Sequence, residues 1–134
     1  MPLSTERDTP AKGTDIRTAP LAATTRIFKG ALGVLNAAGK AVPGAVALNL
    51  IPLGRARETF DNSAGAADAV TGEFDVGTFL FRNLAGDPVL AADLGKDCFI
   101  ADDDAVARTN GTGTRSVAGK VRGVEPAGVW VEII

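Results

Sequence analysis

The chain contains no histidine and no tyrosine, and only one cysteine and one tryptophan among its 134 residues. Each shortage excludes a class of chemistry. Without His, neither a Ser-His-Asp nor a Cys-His site can be built, and the side chain most often poised to move protons near neutral pH is missing. One Cys and no His cannot complete a tetrahedral zinc site. Cys98 can form no disulfide within the chain, which fits synthesis in a reducing cytoplasm. No run of 18 apolar residues occurs, so no transmembrane helix is expected. Met1–Asp8 has neither the basic region nor the apolar stretch of a signal peptide. An excess of one charge is lacking too. The 14 basic and 16 acidic residues are interspersed, and the net charge of −2 supplies no dense positive field for phosphates. Nucleic acid and membrane are therefore not expected partners.

What the chain does have is turn-forming sequence. The 16 Gly and 7 Pro, with many Asn and Asp, cut it into short apolar runs, a texture that favours β structure. Residues 1–22 stand apart. Besides Met1 their larger aliphatic side chains are Leu3, Ile16 and Leu21, too few to offset the entropy of ordering the segment alone. They form either a disordered tail or an arm that orders on a neighbouring subunit. Residues 23–134 would form a β domain large enough to bury a core without cross-links.

Within that domain, Thr25–Phe28 and Ala31–Leu35 read as strands, with a tight turn at Asn36–Gly39. Leu48–Arg57 reads as a strand that Pro52 must bend or confine to a sheet edge. Val70–Phe81 reads as one hydrophobic strand, with Phe74, Val76, Thr78 and Leu80 on one face and Asp75, Gly77, Phe79 and Phe81 on the other. Ala91–Lys96 fits one helical turn stopped by Gly95. Asp97–Ala101 and Ala105–Arg108 are short strands joined by Asp102-Asp103-Asp104. In Val117–Val124, alternation places Val117, Gly119, Val121 and Gly123 inward. In the last strand Val129, Val131 and Ile133 face the core, opposite Trp130, Glu132 and Ile134. The expected architecture is all-β, a small barrel or sandwich of short strands with an extended N-terminal arm.

Few residues invite a chemical reading. Cys98, in a strand-like run, reads as a buried structural thiol. Asp102-Asp103-Asp104 is the one carboxylate cluster. Neighbours on an extended backbone point apart, and the calcium-loop spacing is missing, so a solvated turn is favoured over a cation site. Gly111-Thr112-Gly113-Thr114-Arg115 looks superficially like a phosphate-binding loop. It lacks the Gly-Lys-Ser/Thr ending and a following long helix, so a flexible or partner-contacting loop is the better reading. Trp130, Phe79, Phe81 and Ile134 are candidates for either a second part of the core or a subunit interface. No catalytic residue, cofactor or metal ligand is assigned, and no enzymatic activity is expected.

The order of several segments resembles a family of small head proteins of Mu-like and related tailed phages, the capsid decoration or cement proteins. The resemblance is carried by Arg7-Asp8-Thr9-Pro10, Ile27–Gly39, Val42-Pro43-Gly44, Gly54-Arg55-Ala56, Asp61–Ala66, Asp93–Lys96, Thr109–Gly119 and Gly128–Ile133. It spans nearly the whole chain and rests on the shared order rather than on any one motif. Thr71–Asp75 departs from it, since relatives tend to be basic there, and no positively charged face is carried over. The resemblance implies a structural virion protein, made in the host cytoplasm, that binds the outer capsid surface where major capsid protein subunits meet. It further implies self-association, as a homotrimer or a dimer, and an arm gripping the capsid through Arg7, Asp8, Thr9, Pro10, Ile16 and Arg17. Two other readings fit the residues: a different virion module, such as a head fibre base or a tail-associated protein, and a small-ligand-binding β-barrel.

Overall fold

A computed structural model describes residues 4–6 and 15–133. Among them twelve short strands and a single 3-10 turn account for the regular structure, so the all-β expectation is met. The first half supplies β1 (Ile16–Pro20), β2 (Thr25–Ile27), β3 (Leu32–Leu35), β4 (Ala41–Pro43), β5 (Ile51–Ala56), β6 (Phe60–Asn62) and β7 (Thr71–Asp75). The second half supplies β8 (Thr78–Asn83), the 3-10 turn (Ala91–Asp93), β9 (Asp97–Ile100), β10 (Ala105–Ala107), β11 (Val117–Glu125) and β12 (Gly128–Glu132).

These strands make two lobes. In the second, the order β10-β8-β12-β11-β9 closes on itself as a five-stranded barrel. All its pairings are antiparallel except β8 with β10. In the first, five strands lie in the order β1-β7-β5-β3-β4, and β2 and β6 form a separate pair. One bridge, Leu21 to Ala41, links the chain just after β1 to β4 at the far edge of that sheet.

Each lobe has its own core. Phe81, Val89, Cys98, Ile100, Val106, Val121, Val129, Val131 and Ile133 fill the barrel. Each such aliphatic side chain contributes roughly 1.5–3 kcal/mol relative to exposure. Leu21, Ile27, Leu53 and Ala56 surround Phe74 in the other core. The lobes share β3. Leu32 and Val34 belong to the barrel core, whereas the face of Gly33 between them is occupied by the Phe74 ring. Any β-carbon at residue 33 would overlap that ring.

The structure corrects several expectations. The boundary at residue 22 is too late: Ile16–Pro20 pairs residue for residue with β7, and Ala19 and Leu21 are buried. Segment 16–21 is thus part of the folded sheet, because pairing with β7 supplies the hydrogen bonds its own composition could not. Val70–Phe81 is two strands rather than one. The chain breaks at Val76-Gly77, sending Phe74 into one core and Phe81 into the other. Pro52 does bend its strand, by a bulge: Val34 pairs with Pro52 and Gly33 with Gly54, so Leu53 is skipped. Yet β5 lies inside the sheet, not at its edge. Of the inward set assigned to β11, Val121 is buried as expected and Val117 is not. Bulges skip Ala118 and Arg122, so Val117 turns out to solvent while Ala118 and Val121 are buried.

The turn at Asn36–Gly39 forms as expected, with the Asn36 side chain accepting from the Ala38 and Lys40 amides at 3.0 Å each. The helical turn forms too. Asp93 at its end accepts from the Leu90 amide at 2.8 Å.

Candidate functional site

The surface is notable for the apolar groups left on it. Gly44–Leu50, between β4 and β5, carries Val46 and Leu48, and Ile51 follows. Leu48 is 55% exposed and Ile51 60% exposed. An apolar loop of this kind would normally fold inward. Here it is held open. The buried Ser116 hydroxyl donates to the Ala47 carbonyl at 2.7 Å and accepts from the Leu50 amide at 3.1 Å. One hydroxyl thus fastens both ends of the exposed stretch to the barrel. With Val117 alongside, the loop and the start of β11 enclose a groove of about 550 Å³.

The charges around this groove are already neutralised. Lys120 pairs with Asp97 at 2.7 Å, and Arg115 with Asp87 at 2.9 Å. The Thr109 hydroxyl does most to hold the Asp87 carboxyl below its usual range, burial opposes it, and the Thr109 amide and Arg115 add to the lowering. Arg115 also donates to the Thr109 carbonyl at 3.1 Å, while its Nε is buried without a partner.

A second apolar surface lies on the outside of the barrel. Trp130 on β12 stands opposite Leu80 on β8 and Gly123 on β11. Trp130 is 38% exposed and Leu80 39%. The bare Gly123 backbone lets the indole lie down on the sheet; a β-carbon there would be 3.2 Å from the Trp130 Cδ1. The indole Nε1 donates to Glu125 at 3.3 Å. Trp130 therefore lies on the outer face and not in a second part of the core.

The other interface candidates fare differently. Phe81 is 4% exposed inside the barrel, so this side chain is a core residue and not a surface contact. Phe79 is half-buried, with the Arg55 guanidinium 4.5 Å from its ring centre. Ile134 lies outside the described residues, as do Arg7, Asp8, Thr9 and Pro10. Ile16 sits exposed on β1. Arg17 donates to the Pro52 carbonyl at 3.0 Å, a contact that ties β1 to β5.

Val46, Leu48, Ile51 and Val117 were missed. Alternation hides Val117 unless the bulge is known, and Leu48–Ile51 reads as the start of the Leu48–Arg57 strand, while Val46 falls in no assigned element. The available signal was an apolar stretch broken by Asn49, which takes a left-handed φ of 62°.

The segments with chemical potential are accounted for structurally. Cys98 is fully buried, and burial pushes its thiol up to about 12, so it is not a thiolate nucleophile near neutral pH. In the Gly-Thr loop, the Gly111 amide donates to Thr109, and the Gly113, Thr114 and Arg115 amides to Asn110. Those four donors are not free to cradle a phosphate. Asp102, Asp103 and Asp104 form the turn between β9 and β10, with ligand atoms within 4.8 Å of one another. Arg82 binds Asp104 at 3.1 and 3.3 Å. Burial, then the charges of Asp102 and Asp104, push the Asp103 carboxyl above its usual range. The backbone of this turn joins the lobes: the Leu32 amide donates to the Asp103 carbonyl at 2.7 Å. No described helix is long and apolar enough to cross a membrane.

No family model, curated protein or solved structure matches the chain.

Proposed function

We propose that this chain is a virion structural protein that binds the outer face of a tailed-phage capsid, at junctions between major capsid protein subunits, and stabilises the shell. The observation that carries the reading is the number of separate apolar surfaces on so small a chain. Besides the Leu48–Ile51 groove and the Trp130–Leu80 face, Leu90 and Leu94 are exposed on either side of the 3-10 turn, and Phe28 is exposed after β2. A molecule that bridges several neighbours needs several contact surfaces, each with an apolar centre. The order of sequence segments supports the same reading.

The mechanism is stabilisation by linkage. A protein that binds only the assembled lattice lowers the free energy of that state, by about 2.7 kcal/mol per site at a hundredfold excess over Kd. Contacts made at once to adjacent subunits add avidity. A small-ligand carrier is a weaker reading, since the barrel interior is filled by its own Val, Ile and Phe side chains. The reading is tested by counting copies in purified virus particles. A fixed, high ratio to the major capsid protein is expected. A handful of copies per particle would transfer the chain to a vertex or tail module, and absence from particles would end the proposal.

A further inference from the structure

The loop between β10 and β11 gathers an asparagine side chain, a backbone nitrogen and a hydrogen-bonded path for a proton. We propose that this loop modifies itself: the Gly111 nitrogen attacks the Asn110 side chain, converting it through a cyclic imide to aspartate and isoaspartate. The proposal does not depend on the capsid reading, and its only co-reactant is water.

Sequence supplies the pair. Of the five asparagines, Asn36, Asn49, Asn62, Asn83 and Asn110, the last alone precedes glycine. With no β-carbon on Gly111, no side chain crowds its nitrogen as it approaches the Asn110 Cγ. Asn110 is exposed, so water reaches the imide once it forms.

Geometry prepares both ends of the new bond. The Gly113 amide donates to Asn110 Oδ1 at 3.1 Å. That contact draws electron density from Cγ and steadies the negative charge that gathers on the oxygen during attack. At the other end, the Gly111 amide donates to Thr109 Oγ1 at 3.3 Å. The same hydroxyl donates to Asp87 Oδ2, which orients its oxygen and makes it a better acceptor. A line therefore runs from the attacking nitrogen through a hydroxyl to a carboxylate, the arrangement of an activated nucleophile. Asp87 is fixed in place by the Thr109 amide at 3.0 Å and by Arg115 at 2.9 Å.

The steps balance. The Gly111 proton passes to Thr109 as the hydroxyl gives its own to Asp87. The bond from nitrogen to Cγ forms, the Cγ–Nδ2 bond breaks, and Nδ2 takes a proton back through solvent and departs as ammonia. One water then opens the imide. Opening at Cγ gives aspartate; opening at the main-chain carbonyl gives isoaspartate, with the backbone rerouted through the former side chain.

The second product also relieves strain. Thr112, a β-branched residue, holds a left-handed φ of 62° between Gly111 at 64° and Gly113 at 80°. The Asn110 main-chain carbonyl keeps this turn wound by accepting from the Thr114 and Arg115 amides at 2.9 Å each. In isoaspartate that carbonyl leaves the main chain, and the turn is free to unwind.

The test is mass spectrometry of the full chain after incubation at neutral pH, folded and, separately, in concentrated urea. Trypsin cuts after Arg108 and Arg115 and so isolates Thr109–Arg115, which conversion makes one mass unit heavier. If the Asn-Gly sequence alone mattered, ordering the loop would slow the reaction. The expected result is the reverse, faster conversion in the folded chain than in urea. Thr109→Val removes the relay and should slow folded-state conversion about tenfold, less than the roughly hundredfold of a dedicated acid–base residue. Its rate in urea should match the wild type, and Thr109→Ser should restore the folded rate. Thermal melts confirm that both variants fold, and the wild-type comparison stands without them. Conversion no faster in the folded chain than in urea overturns the proposal, as does a folded Thr109→Val chain that converts at the wild-type rate.

Discussion

The two lobes solve the same problem with different distributions of side chains. The barrel is continuous in hydrogen bonding and spreads its core over many Val and Ile groups of similar size. The first lobe has its sheet edges joined by a single bridge and is gathered around one large ring, Phe74, with Gly33 thinned to admit it. A core of many modest contributions tolerates the loss of any one. A core keyed to a single ring does not.

That contrast can be broken at its strongest point. Phe74→Ala is expected to lower stability by about 3–5 kcal/mol, whereas Val131→Ala in the barrel should cost about 2 kcal/mol. Urea unfolding followed by circular dichroism would compare them, and equal losses would show that the lobes are not differently organised. A smaller effect is expected at the connection between them. Ser116→Ala removes both bonds that fasten the exposed loop and should cost about 1–2 kcal/mol. Its amides from residue 44 to 50 should then exchange faster, while those of β12 keep their protection.

The smallest expected difference concerns pH. Asp93 is held below the usual carboxylate range first by the Leu90 amide, against burial, and then by Arg108 and Lys96. Asp87 is lowered as well, and Asp61, in the first lobe, is held at about 2, chiefly by Ser63. A carboxyl lowered on folding contributes fully above its unfolded value, about 3.9, and loses that contribution as pH falls toward its folded one. Asp103 is raised and acts oppositely, becoming more favourable to the fold on protonation. Melting temperatures should therefore drop mainly between about pH 4 and pH 2. Asp93→Asn should flatten that drop while lowering the melting temperature at neutral pH; an unaltered profile would remove Asp93 from the account.

Much of the fold was legible because its signals are local. The turn at Asn36–Gly39, the helical turn before Lys96 and the inward Val129-Val131-Ile133 alternation each follow from a few adjacent residues. What was not legible depends on distant ones. Ile16–Pro20 looks like arm sequence until β7 is there to pair with it. The bulge at Ala118 turns Val117 outward while Val121 keeps the inward place that alternation gives it, and nothing in Val-Ala-Gly-Lys-Val-Arg-Gly announces the bulges there or at Arg122. The candidate surfaces suffered most. Trp130 was visible as a lone aromatic, but its neighbour Leu80 and the fastening of the Leu48 loop by Ser116 are contacts across 50 and 66 positions of sequence.

The strand shared by the lobes bears on how the chain is made. Synthesis delivers residues 16–75 before the barrel exists, so the early sheet leaves the ribosome with Leu32 and Val34 facing water. Those two side chains are buried only when the later half arrives to cover them. Until then the nascent chain is sticky, and slow translation through the segment after β7 would lengthen the interval in which it can aggregate.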